Sequence, residues 1–156
     1  MALVKGSTYD NVFYDFVLDG TRDLLVSEFS NAMIYIAPEI KHKGNFQIRI
    51  WGSGATTRDW GASAWQKEYN VGILLYMMGK NPADSFYQQF YGDSERLYQI
   101  LNNNMTLTKT VGSISYTWIN GKVDEIDINN FQGDEEDIDG LNVASLSFSC
   151  FVDRAN

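Results

Sequence analysis

At 156 residues the chain has the length of one domain, and it can bury roughly 68–70% of its unfolded surface without a disulfide or metal staple. Its net charge of −8, from 12 Lys and Arg against 20 Asp and Glu, argues against a nonspecific grip on nucleic acid or on an anionic membrane, since both need clustered cations. A single cysteine, Cys150, excludes an intramolecular disulfide and a multi-cysteine metal site.

The first element predicted is one long helix from about Thr8 to Phe29. Ser7 or Thr8 can cap it, with Asp10 in the opening turn. Val12, Phe13, Phe16, Val17, Leu24, Leu25 and Phe29 recur at helical spacing, and the stripe resumes in phase after Gly20. Met33 to Ala37 is β-rich and stops at Pro38. Phe46 to Trp51 alternates, with Phe46, Ile48 and Ile50 on one face and Gln47, Arg49 and Trp51 on the other. These two strands are expected to form a hairpin whose tip, residues 38–45, carries Lys41, His42 and Lys43. Gly52 to Ser63, rich in Gly, Ser, Thr and Ala, reads as a loop containing Arg58 and Trp60.

Trp65 to Met78 is the longest strand candidate. Tyr69, Val71, Ile73, Leu75 and Met77 form one face, and the other turns apolar toward Leu74 and Tyr76. A strand apolar on both faces is central or covered. Pro82 suits the start of a helix that runs to about Asn103, in one piece or two abutting at Gly92. Ser113 to Ile119 then alternates, and Asn120-Gly121 reads as a two-residue turn returning Lys122 to Phe131. Matching Tyr116 with Ile126 and Ile114 with Ile128 across that turn requires a β-bulge near Asp124-Glu125. The acidic run Asp134, Glu135, Glu136, Asp137, Asp139 follows. The closing strand has Ala144, Leu146, Phe148, Cys150 and Val152 on its core face and Ser145, Ser147 and Ser149 opposite.

The fold class expected is α+β: a single-domain, two-layer sandwich with a mostly antiparallel sheet of about five or six strands and two helices on one face. The other face would carry Gln47, Arg49, Ser113, Ser115, Thr117, Ser145, Ser147 and Ser149, small and hydroxylated, compatible with water or a neighbouring subunit. Of the 22 aromatic residues (nine Phe, nine Tyr, four Trp), most are expected in the core and some at protein contacts. Met1 to Lys5 lacks a signal-peptide core, and no apolar run approaches the ~18 residues of a membrane span, so a soluble protein made in a cytoplasm is expected.

Catalytic chemistry has little to build on. His42 is the only histidine and lies between two lysines, with nothing in the sequence to orient it in a triad. Asp137-Ile138-Asp139-Gly140 is a fragment of a calcium loop without the remaining ligands, so a solvated acidic loop is the simpler reading. Gly52-Ser53-Gly54 lacks the lysine of a phosphate loop. No enzyme, cofactor or metal is expected, and Cys150 reads as a small buried hydrophobe.

The second half of the chain resembles the tail terminator, or tail completion, proteins of long-tailed bacteriophages. The resemblance rests on Glu68-Tyr-Asn-Val-Gly-Ile-Leu-Leu-Tyr76, the helix ending Glu95-Arg-Leu-Tyr-Gln-Ile-Leu101, the Trp118–Ile128 hairpin, the acidic loop, and Asp139-Gly-Leu-Asn-Val-Ala-Ser-Leu-Ser-Phe-Ser-Cys-Phe-Val152. It covers about residues 66–152 in order and hydrophobic texture. Related head–tail connector and tail-tube proteins share much of that texture; these or a baseplate component remain the alternative, with a small enzyme or ligand-binding domain behind them. The resemblance implies a non-enzymatic homo-oligomeric ring, typically a hexamer, in the tail or neck of a virion assembled in the host cytoplasm. Such a ring caps the tail tube protein, stops its polymerisation and meets the head–tail connector. DNA passes through it without specific binding. On that reading Lys41, His42, Lys43, Arg58, Trp60 and Trp65 are candidate contacts with neighbours or the tube. The acids 134–139 are candidates to line the channel or meet a partner.

Overall fold

The computed structural model describes residues 10–37, 45–59, 64–79, 84–131 and 141–155. The helical stretch opens at Asn11, whose side-chain oxygen accepts from the Tyr14 N–H at 3.2 Å. It begins as a π-helical segment, Val12–Leu18, and passes directly into α1, Asp19–Glu28. At the junction the Asp19 N–H reaches the Tyr14 carbonyl, five residues back, so the first turns are wider than an α-helix. Ser7 and Thr8, the expected caps, lie outside the described residues. Gly20 interrupts nothing: a Cβ there would stand 3.1 Å from Leu107 and 3.2 Å from Trp118, so its smallness admits the Trp118 ring.

The strands are β1 (Met33–Ile36), β2 (Phe46–Asp59), β3 (Ala64–Met78), β4 (Leu107–Val111), β5 (Ile114–Phe131) and β6 (Leu141–Ala155). Between β3 and β4 runs α2, Asp84–Asn103, unbroken at Gly92. The strands form one sheet in the order β1-β2-β3-β6-β5-β4. Every described pairing except β1 with β2 is antiparallel. The protein is therefore α+β with six strands, and β3 is central, as its apolar faces require.

Three expectations about connectivity are overturned. First, β1 and β2 are not a hairpin: they pair in parallel, Met33 with Gln47 through Ile36 with Ile50. A parallel neighbour needs a return connection where a hairpin needs only a tight turn. Second, Gly52 to Asp59, the described part of the loop expected over Gly52 to Ser63, is strand. β2 continues to Asp59 against β3, with one irregularity between Gly52 and Gly54. The first half of β3 supplies ladder partners, which outweigh the weak strand propensity of the Gly-Ser-Gly run.

Third, Asn120-Gly121 is not a turn. β5 runs straight through it, and Cys150 of β6 faces both residues, between the pairs Ile119–Phe151 and Lys122–Ser149. Asn120 takes the left-handed φ of 52° there. The actual tight turn is Gly112-Ser113, between Val111 and Ile114, with Gly112 at φ 62°. Among described non-glycine residues only Asn120 has positive φ, so Ser113 does not, and the turn is of the II′ kind. Its first arm, β4, is a strand the sequence reading passed over. The bulge expected near Asp124-Glu125 is present as a register shift between Val123 and Glu125, but the partner is β6 and not the first arm of a hairpin.

Gln47 and Arg49 lie on the face opposite the main core, as their parity predicts, and both are buried there. The main core unites Phe16, Val17 and Leu25 of the first helical stretch, Phe90, Leu97 and Leu101 of α2, and one parity of the strands. Those strand residues include Ile48 and Ile50, Tyr69 through Met77, and Ala144 through Val152 in alternation, so the core face of β6 is the one expected. Trp118, fully buried, packs on Phe16 and Phe148 and donates its indole N–H to the Asn104 carbonyl at 3.1 Å. A second cluster, Tyr76 with Leu141 and Val143, lies on the opposite strand parity together with Leu74 and Met78.

Candidate functional site

Lys41, His42, Lys43, Trp60 and the acids Asp134, Glu135, Glu136, Asp137 and Asp139 lie outside the described residues. Arg58 and Trp65 belong to described strands. Arg58 pairs with Gln66 and Asp59 with Trp65, so the two candidates stand one register step apart at the end of the β2–β3 hairpin. Their side chains are outside the described set.

Among the described residues no group of three or more His, Cys, Asp or Glu could hold a metal. Cys150 is buried, and burial, with Glu68 adding to it, pushes its thiol up to about 12, far from a thiolate nucleophile. No helix among the described residues is long and apolar enough to cross a membrane.

The sheet face opposite the main core holds the more informative chemistry. Cross-strand partners share a face, so the register places Tyr35, Arg49, Leu74, Ser145 and Asp127 in one transverse row. The next row is Trp51, Gly72, Ser147 and Glu125. Gly72 is the seat of an aromatic: a Cβ on it would fall 2.3 Å from the Trp51 indole, so that ring lies directly on the glycine backbone. Ser149, one row further and 1% exposed, has an Oγ without a hydrogen-bond partner.

Arg49 is the unusual member. It is 4% exposed, its Nη2 donates to Gln47 Oε1 at 2.9 Å, and its guanidinium lies 4.3 Å from the centre of the Tyr35 ring. Its Nε has no partner, and no carboxylate pairs with it among the described residues. The other cations with carboxylates nearby show the contrast. Lys109 bridges Asp19 and Asp23, Arg22 meets Asp19, and Arg96 bonds Glu28 at 2.6 Å. A buried guanidinium lacking an opposing charge is costly in a monomer.

At the other side of the same face, Glu125 and Asp127 are exposed and make no ion pair among the described residues. The outer edge of β5 is capped only in part. The Gly121 N–H bonds to the Met105 carbonyl at 2.9 Å and the Val123 N–H to Asn102 Oδ1 at 3.0 Å. Beyond Val123 no described strand covers that edge, since β4 pairs only with Ile114 through Trp118. Sequence reasoning placed Arg49 and Trp51 on this face by their alternation with Ile48 and Ile50. It did not single them out, because the burial of Arg49 depends on β1 and β3 together. Tyr35, Glu125 and Asp127 carried no signal beyond their strand parity.

No family model matches this chain, and no curated protein matches it.

Proposed function

We propose that this protein is a non-enzymatic ring subunit that completes the tail of a long-tailed bacteriophage. It caps the tail tube, halts its growth and presents a surface to the head connector. The observation that carries the reading is the sheet face opposite the core. An arginine that no carboxylate among the described residues pairs with is buried there among Tyr35, Trp51 and Leu74, and carboxylates that make no ion pair among the described residues stand on the same face at the far side. Tyr, Trp and Arg are the residues that anchor interfaces, and a desolvated charge asks for a partner outside the subunit. The strand containing Glu68 to Tyr76, the helix containing Glu95 to Leu101 and the closing strand follow the order on which the family resemblance rests. The Trp118–Ile128 segment departs from it, being part of one strand.

The test is the native mass of the purified protein, followed by its effect on tube assembly. A closed ring is expected, and adding it to polymerising tube protein is expected to yield short capped tubes. Open-ended self-polymerisation would favour a tube subunit, and a monomer without effect on tube length would overturn the proposal.

A further inference from the structure

The two incompletely covered sides of the sheet are chemically complementary. β1, at one edge, presents Met33 and Tyr35, 39% and 36% exposed, and Tyr35 lies over the buried Arg49 guanidinium. Near the other edge, β5 beyond Val123 presents Glu125 and Asp127 on the same face. Within one subunit these groups cannot meet, because β3 and β6 stand between β2 and β5. We infer that the Tyr35–Arg49 patch of one subunit receives the Glu125–Asp127 edge of a second copy, making a head-to-tail interface. This rests on the ring reading above and names the contact that would build the ring.

The occupant is a second copy because the chain itself carries both halves. An arginine and carboxylates that find no opposite charge among the described residues share one sheet face at opposite sides, and a heterologous contact brings such patches together. Docking desolvates Glu125 and Asp127 beside a guanidinium already stripped of water, where opposite charges attract far more strongly than at a free surface. The Tyr35 ring must swing aside to let a carboxylate reach the guanidinium. The same contact would cover the part of the β5 edge that Asn102 and Met105 leave open.

The experiment uses the full chain and native mass measurement over a concentration series. One variant reverses the acidic side, Glu125→Lys with Asp127→Lys. Two others disable the basic side, Arg49→Met and Tyr35→Glu, the second being a partly exposed position that keeps the test open should the first fail to fold. Circular dichroism checks folding. Each folded variant is expected to need at least about tenfold more protein to assemble. An equimolar mixture of an acidic-side and a basic-side variant is expected to form one-to-one pairs and stop, since each partner retains one intact patch. Variants that assemble like the unaltered protein, or a mixture that stays monomeric, would overturn the inference while leaving a ring of the unaltered protein standing. Chains or dimers that depend on these residues but never close would support the contact and sink the ring. An unaltered protein monomeric at every concentration would overturn both.

Discussion

Gly72 and Trp51 show how much one atom decides on the sheet face opposite the core. The indole occupies the space a Cβ would take, so Gly72→Ala must lift it off the strand. Trp51 is half-buried and can swing outward, which limits the cost to about 1–2 kcal/mol. The expected readings are a lower denaturation midpoint and a red-shifted tryptophan emission. An unshifted emission would mean that the ring has found another half-buried seat on that face. A second residue-scale prediction concerns the cluster at Asp19. The hydrogen bond from Lys109 holds its carboxyl below the ordinary value of 3.8, with Arg22 assisting and partial burial opposing. Burial works against the Lys109 ammonium, yet hydrogen bonds to Asp19 and Asp23 raise it above its ordinary value. A carboxylate with a depressed folded value contributes stability that is present above its unfolded value and lost as pH falls through the folded one. The lysine's share is present below its unfolded value and lost only as pH rises through its raised folded one. Lys109→Met is therefore expected to lower the urea midpoint at pH 7 and to flatten its decline between about pH 5 and pH 2. Asp93 runs the other way. Burial raises its carboxyl against the pull of Arg96, so its ionised form weakens the fold at neutral pH and the penalty fades on acidification.

At the scale of elements, Asn120-Gly121 explains why a strong local signal misled. Asn followed by Gly tolerates left-handed backbone, and that serves a hairpin turn and a bulge equally well. The choice was made by what surrounds it. Met105 and Asn102, delivered by the end of α2, bond the outer edge of β5, while β6 pairs along the inner edge on both sides of the irregularity. The tight turn moved to Gly112-Ser113, where a glycine at the first central position suits a II′ geometry. Two substitutions separate the roles. Asn120→Gly is expected to be neutral or slightly stabilising, whereas Asn120→Val should cost about 1–2 kcal/mol, because a β-branched side chain at positive φ is strained. Equilibrium unfolding of the pair gives the answer, and equal midpoints would argue that the strand relaxes out of the left-handed conformation.

For the whole molecule, Arg49 sets the stability of the single chain against the assembly proposed above. In a single chain no carboxylate among the described residues pairs with its charge, so Arg49→Met, similar in length and free of charge, is expected to raise monomer stability by on the order of 1 kcal/mol. Denaturant unfolding below the assembly concentration measures this. A loss of stability instead would mean that the contacts with Tyr35 and Gln47 outweigh the desolvation. A residue that weakens the monomer and strengthens the assembly is what a protein working as a ring would retain.

Much of this architecture was legible from side-chain period alone. Alternation in Phe46–Trp51, Trp65–Met78 and Leu141–Val152 assigned the core faces, and the helical stripes located both helices, because burial of one face imposes its period on the residues that form it. Parity also put Arg49 and Trp51 opposite the core. Which strand lies beside which was not legible. The parallel pairing of β1, the extension of β2 to Asp59, the unbroken path of β5 and the burial of Arg49 all arise from contacts between residues far apart in the chain. A period of two states which way a side chain points. It carries no record of the partner across the ladder, and that partner turns an arginine expected at a surface into a buried charge.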